Sequence, residues 1–279
     1  MKNICASCKS FNINKIVKVN NEKIPDWLKN NNYVNDFIIN TNLKDYRQKN
    51  TNMKLKLNVG KNKIGKKCLY WGADPTSKIL INDAKNAYNN FKNYGITRVN
   101  KNGNIVLHFN CPQPYSTIEK SKIKRETFYR HIHFCFSNKD NSKWLSTIYT
   151  KIIVCKLSLK KTLELHKKGN ILLLNSLPSE YYAKSHIPNS FNLHSKIINK
   201  MNQNELFKWV AEVIEKNYKK LHTLIKNKKL NYYEIPIVFY CAHSKCNASE
   251  LATVEILKKG FVNISEFSGG MKEYLKYKN

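Results

Sequence analysis

Ile237-Val238-Phe239-Tyr240-Cys241-Ala242-His243-Ser244-Lys245-Cys246-Asn247-Ala248-Ser249-Glu250 holds, in order, an apolar run, a cysteine where the run stops, a short polar loop and the opening of a helix. The run is short and β-branched enough for a buried parallel strand. Leu251, Val254, Ile256 and Leu257 then recur at helical spacing until Gly260 ends the pattern. Asn247, with Glu250 three residues on, predicts a capping box. A cysteine between such a strand and such a helix sits where backbone N–H groups converge, and these with the positive helix end are expected to lower the Cys241 pKa and hold an anion on its sulfur. Cys241 is therefore the candidate nucleophile, with Ala242, His243, Ser244 and Lys245 forming its loop. Cys246 closes that loop near enough to attack an oxidised or persulfidic sulfur and leave a disulfide, which makes it the candidate resolving thiol.

Flanking segments extend the pattern. Asn175-Ser176-Leu177-Pro178-Ser179-Glu180-Tyr181-Tyr182-Ala183-Lys184-Ser185-His186-Ile187-Pro188-Asn189-Ser190-Phe191-Asn192-Leu193 precedes the cysteine, and Gly260-Phe261-Val262-Asn263-Ile264 and Gly269-Gly270-Met271-Lys272-Glu273-Tyr274 follow it. Together these resemble the rhodanese family, whose segments run Asp-Val-Arg-x-x-x-Glu-Tyr-x-x-Gly-His-Ile-Pro-Gly-Ala-x-Asn, Gly-Phe-x-Asn-Val and Gly-Gly-Met-x-x-Trp. The family's acidic and arginine positions are Asn175 and Leu177 here, and Ser185 stands where the family has glycine. The resemblance implies an α/β fold around a central parallel sheet. It also implies sulfurtransfer, in which Cys241 takes a sulfane sulfur from a small donor or a protein persulfide and passes it to an accepting thiol. No metal or other cofactor is needed for that chemistry. Two alternatives stand beside it: a thiol redox protein using Cys241 and Cys246, and a noncatalytic binding protein built from drifted modules.

The chain's 279 residues suggest about two domains. Its 42% hydrophobic content is enough for two cores, which argues against wholesale disorder. The pattern divides into a polar segment over 1–50, a β-rich domain over 51–156 and the rhodanese-like domain over 157–279. Asn202 to Asn227 reads as one amphipathic helix, with Leu206, Trp209, Val210, Val213, Ile214 and Tyr218 on its apolar face.

A formal charge of +30 invites a polyanion partner. The lysines are spread evenly with Asn and Ile, so nonspecific, salt-sensitive binding is the expectation, not a sequence-reading site. No run of eighteen apolar residues and no signal-peptide core occur, so no membrane association and an intracellular, cytoplasmic location are expected. In that setting the eight cysteines read as thiols, ligands or buried residues and not as a disulfide framework. Cys5-Ala6-Ser7-Cys8 offers two zinc ligands, a redox pair or two plain thiols.

From Met53 to Lys156 the pattern is one of short strands. Met53–Val59 alternates, Cys68–Trp71 is compact and apolar, and Asn104–Phe109 follows the turn Lys101-Asn102-Gly103. Arg130–Phe136 and Leu145–Val154 come next, and the set predicts a β-sandwich. Alternate residues of a strand share a face, so His131 and His133 point the same way and can share a metal, while Tyr115 lies on the preceding loop.

Asn100–Leu107, Cys111–Tyr115, Tyr129–Phe134 and Leu145–Tyr149 are similar, in order, to the intradiol ring-cleavage dioxygenase core. By position in that resemblance, Tyr115, His131 and His133 correspond to ligands of a non-haem ferric iron. Tyr88 stands in for the fourth without matching the spacing, and Arg130 for the substrate-activating arginine. Zinc held by Cys111, Cys135 and the two histidines is the alternative.

Overall fold

The computed structural model describes residues 15–18, 33–119 and 124–278. Cys5 and Cys8, read as zinc ligands, a redox pair or plain thiols, lie outside them. The described residues divide into two compact units, one within Met1–Ser77 and Asn82–Ile153, the other within Lys78–Ile81 and Val154–Asn279.

The first unit carries β1 (Val17–Lys18), β2 (Met53–Asn58), β3 (Lys67–Gly72), β4 (Asn82–Asp83), β5 (Tyr94–Arg98), β6 (Asn104–Phe109), β7 (Tyr115–Glu119), β8 (Lys124–Phe128), β9 (His131–Phe136) and β10 (Tyr149–Ile152). They form a five-stranded sheet in the order β1-β10-β9-β3-β5, a β2-β6 pair and a three-stranded β4-β7-β8 sheet. Pairing of Leu55 with Leu107 and Leu57 with Ile105 is the register that the alternation of both segments demands. Between β10 and β3, all six residues of β9 are buried, both histidines included. The strand expected over 145–154 shortens to Tyr149–Ile152, because Trp144 bridges Ser137 and the Leu145 N–H turns back to Phe136 O at 2.8 Å.

The second unit is built on β11 (Cys155–Lys156), β12 (Leu172–Asn175), β13 (Phe191–Asn192), β14 (Ile237–Tyr240) and β15 (Ile264–Phe267), in the order β11-β15-β14-β12-β13. Every pairing is parallel. Parallel neighbours need crossover connections, and these include the helices Leu159–Lys167, Gln203–Asn217 and Ala248–Lys258. Burial on both faces explains why β14 is apolar throughout and β12 is apolar up to Asn175, where β6 alternates. Leu173, Val238, Tyr240, Phe267 and Met271 pack into one core cluster with Leu159, Ile171 and Ile187.

Three sequence expectations are corrected here. Cys155 and Lys156, read as the end of the β-rich domain, pair in parallel with Ser265 and Glu266 and belong to the second sheet. The single helix over 202–227 is two, Gln203–Asn217 and Lys219–Lys226, because Tyr218 takes φ −125° and ψ 65° between them. Cys111 and Cys155 are each disulfide-bonded, whereas Cys68, Cys135, Cys241 and Cys246 are free thiols.

Among the described residues no helix is long and apolar enough to cross a membrane.

Candidate functional sites

Cys241 follows directly on β14, at the end where parallel strands open toward their loops, and its side chain is buried. The helix Ala248–Lys258 begins beyond the loop as the spacing predicts. Its start, however, is not the expected capping box, since Asn247 sits at φ −94° and ψ 3° and its side chain makes no capping bond.

The Cys241 sulfur lies 3.3 Å from Ser249 Oγ, 3.4 Å from the Cys246 carbonyl oxygen and 3.7 Å from that of His243. Its pKa moves opposite to the expectation. Desolvation by burial raises it, while the Ser249 hydroxyl and backbone N–H pull it down and the Cys246 thiol adds to the rise. The first-turn amide therefore does bond the sulfur, but burial outweighs it. His243, Ser244 and Lys245 are exposed and Ala242 and Cys246 half-buried, so the loop's outer side is open to solvent.

The Gly-Gly-Met element holds the loop from behind. Met271 N–H donates to the Cys241 carbonyl and Lys272 N–H to that of Ala242, each at 2.9 Å. Gly270 makes that approach feasible: its φ is +61°, and a Cβ there would lie 2.3 Å from the Cys241 carbonyl oxygen.

The Asn175–Leu193 segment wraps the residue before the nucleophile. Tyr240 Oη accepts the Ile187 N–H at 2.9 Å and bonds Ser190 Oγ at 2.7 Å, and the Tyr240 carbonyl accepts from both the amide and the hydroxyl of Ser176. Asn175 Oδ1 accepts the Leu177 N–H, and Asn192 Nδ2 donates to the carbonyls of Asn175 and Leu177. The His-Ile-Pro turn is thus anchored on the tyrosine that precedes Cys241.

A second cluster lies in the first unit. Tyr88 ends the short helix Ala84–Tyr88, Tyr115 opens β7, and His131 and His133 project from the same face of β9. His131 Nε2 is 3.1 Å from His133 Nε2, 3.2 Å from Tyr115 Oη and 3.3 Å from Tyr88 Oη, and the two phenol oxygens are 3.4 Å apart. All four side chains are buried.

His131 Nδ1 lies 2.6 Å from the Tyr129 carbonyl oxygen, which can only accept, so Nδ1 carries the proton and Nε2 turns a lone pair toward the other three groups. Burial holds His131 neutral by lowering its pKa to about 4, and desolvation lowers that of His133 as well. His133 Nδ1 bonds Thr150 Oγ1 at 2.7 Å, which orients the second ring. Arg130 is half-buried against the Cys111–Pro112 turn, donating to Pro112 O at 2.6 Å, with its pKa pushed down to about 10 by desolvation.

Tyr115, His131 and His133 therefore come together as the strand pattern proposed, and Tyr88 joins them although its sequence spacing gave no support. The alternative zinc set does not assemble. Cys111 is in a disulfide, and among the described residues no group of three or more His, Cys, Asp or Glu is placed to hold a metal. Four residues went unread in the sequence: Tyr129 and Thr150, which fix the two imidazoles, and Ser249 and Glu266, which meet beside Cys241 with Ser249 Oγ 2.6 Å from Glu266 Oε1. The even residues of β15 and the second position of a helix carry no signal that separates such roles from ordinary packing.

Comparison with known proteins bears on the second unit. The family description "Rhodanese-like domain" matches residues 158–277. Among solved structures, the human single-domain sulfurtransferase TSTD1 is 20% identical, with 44% of this chain and 97% of that one covered at a TM-score of 0.31. The Saccharomyces cerevisiae single-domain sulfurtransferase RDL2 is 14% identical, with 45% and 91% covered at 0.32. The BH2092 protein of Bacillus halodurans is 21% identical, with 45% and 74% covered at 0.32. No curated protein matches the chain. Residues 158–277, with their parallel sheet and the cysteine loop after β14, are a rhodanese-like domain.

Proposed function

We propose that the chain is a sulfurtransferase in which Cys241 carries the transferred sulfur as a persulfide. The observation that supports this most is the placement of Cys241 in a rhodanese-like domain, at the end of β14, with the Ser249 N–H directed at its sulfur and the open loop in front of it. The Cys241 thiolate attacks the outer sulfur of a small donor such as thiosulfate, or of a protein persulfide. An accepting thiolate then takes that sulfur and releases Cys241. Ala242, His243, Ser244 and Lys245 frame the entrance, and the Ser249 N–H at the helix start supports the anionic sulfur. When no acceptor arrives, the Cys246 thiolate attacks the Cys241 sulfur of the persulfide, the S–S bond to the outer sulfur breaks, that sulfur leaves as hydrosulfide, and a Cys241–Cys246 disulfide remains.

The test is mass spectrometry of the protein after thiosulfate treatment, with transfer to a small thiol measured in parallel. One added sulfur on Cys241 is expected, lost in Cys241→Ser and accumulating in Cys246→Ser. Equal turnover in wild type and Cys241→Ser rules the reading out.

The convergence of Tyr88, Tyr115, His131 and His133 supports a second reading for the first unit, that of a ferric site in an intradiol-dioxygenase-like β-sandwich. Two phenol oxygens and the His133 nitrogen, each 3.1–3.3 Å from His131 Nε2 whose lone pair faces them, suit a hard cation with borderline nitrogen ligands. A ferric ion there would supply Lewis acidity toward an oxygen-bearing ligand. The residues' own part is to exclude water, fix the His131 tautomer through Tyr129 and orient His133 through Thr150. Metal analysis of protein produced with iron and zinc both supplied decides it. Iron with a visible phenolate band that Tyr115→Phe weakens is expected, and colourless or metal-free protein overturns the reading.

A further inference from the structure

Two buried groups stand in line behind the nucleophile. Cys241 Sγ is 3.3 Å from Ser249 Oγ, and Ser249 Oγ is 2.6 Å from Glu266 Oε1. Cys241 and Ser249 have no exposed surface, and Glu266 is buried on β15, whose register sets it beside Phe239 of β14. A buried carboxylate needs a partner, and a nonfunctional one would more simply be an apolar residue like Phe239 beside it. The single hydroxyl proton of Ser249 cannot serve both neighbours at once. When it points to Glu266, the serine oxygen is free to accept the Cys241 S–H; when it points to sulfur, the carboxyl group is the one left holding a proton.

We propose that Cys241, Ser249 and Glu266 form a proton relay that generates the attacking thiolate, resting on the reading of Cys241 as the sulfur carrier. The Cys241 S–H bond breaks and a Ser249 O–H bond forms, while the original Ser249 proton moves to Glu266 Oε1. The pair Cys–SH and Glu–COO⁻ becomes Cys–S⁻ and Glu–COOH, with no net change of charge in the buried site. The thiolate then attacks the outer sulfur of the donor. A new S–S bond forms on Cys241, the donor's bond to that sulfur breaks, and the electron pair leaves with the donor remnant, sulfite in the case of thiosulfate. When an accepting thiolate later removes the outer sulfur, Cys241 departs as thiolate and recovers its proton from Glu266 through Ser249.

Moving the proton in step with attack on the donor lets a thiol that burial keeps protonated react. The other titratable groups around it are Cys246, whose thiol bonds that of Cys241, His243 and Lys245 further round the loop, and Lys156, opposite Glu266 in register on β11. His243, Lys245 and Lys156 are exposed and Cys246 half-exposed, so none replaces the buried carboxylate at the inner end.

The sign of one substitution separates a relay from a bystander. A carboxylate that merely sits nearby disfavours a thiolate, so removing its charge would speed Cys241 chemistry; removing the base of a relay slows it. The experiment measures iodoacetamide alkylation of Cys241 against pH, resolved from Cys246 by peptide mass spectrometry, in wild type, Ser249→Ala and Glu266→Gln. Circular dichroism of each confirms the fold. The relay predicts a loss of about 100-fold at neutral pH in both variants, the low end of what a positioned base contributes, with the difference closing as pH rises. The isosteric Glu266→Gln keeps the test alive if Ser249→Ala does not fold.

Unchanged or faster alkylation in Glu266→Gln overturns the relay. Persulfide formation is measured on the same samples and distinguishes the two claims. Variants that alkylate as fast as a persulfide-forming wild type sink the relay alone. A wild type that alkylates in the predicted order yet takes sulfur from neither thiosulfate nor a persulfide sinks the sulfurtransfer reading and leaves the relay standing.

Discussion

Gly270→Ala tests whether the Cys241 loop is held from behind in the way the structure shows. Two costs add at this position. The φ of +61° is strained for any residue with a Cβ, which costs about 1 kcal/mol. The new methyl would also sit 2.3 Å from the Cys241 carbonyl oxygen and 2.8 Å from the Ala242 carbonyl carbon, atoms of the main chain that cannot rotate away. Relieving that overlap means moving the helix Gly270–Lys278 off the loop, which lengthens the bonds from Met271 and Lys272 N–H at about 1 kcal/mol each. The expected sum is about 3 kcal/mol.

Gly169→Ala is the matched control in the same unit. Gly169 has φ +62° but open space where its Cβ would go, so it should lose only the strain, about 1 kcal/mol. Urea unfolding followed by pulse alkylation of Cys241 reports on the second unit alone and measures both. If the two substitutions cost the same within about 0.5 kcal/mol, the carbonyl contact is not what makes Gly270 a glycine, and the account of the loop's support is wrong.

Tyr240→Phe removes the hydroxyl that accepts Ile187 N–H and bonds Ser190, and is expected to destabilise the second unit by about 2 kcal/mol, read in the same melts. Burial raises the Cys241 pKa above the ordinary 9.0, so folding favours the neutral thiol; that contribution is present below the unfolded value and declines as pH climbs through the raised one, which unfolding measured across alkaline pH in wild type and Cys241→Ser should show as a converging difference. With a formal charge of +30, any binding to DNA or RNA should be independent of sequence and steeply lost by about 200 mM salt; filter binding that keeps a sequence preference there contradicts the reading.

The cysteine loop was legible because strand, nucleophile and helix are contiguous, and each local signal constrains the next. The thiol's pKa was not, since burial of Cys241 depends on Ser249, Glu266 and the Gly270 helix closing over it, contacts that join distant segments. The His131 and His133 pair followed from strand alternation, whereas Tyr88, at the end of the helix Ala84–Tyr88, meets His131 through a contact 43 residues apart in sequence that local spacing does not encode. The break at Tyr218 hid inside an unbroken amphipathic pattern, for apolar spacing fixes a face and is silent on where a helix stops.

β14 pairs on both sides, with β12 and β15, and every residue in it is buried. A strand in that position gives up its amide protons to solvent only when the whole unit opens, whereas the exposed loop at His243–Lys245 exchanges through local motion. The nucleophile is thus bolted to the slowest-opening element of its unit while the groups that meet a donor sit on the fastest. Phe239 and Tyr240 should exchange at the rate of global unfolding even as the neighbouring loop amides exchange orders of magnitude sooner, so that substrate-sized rearrangements pass over Cys241 without displacing it.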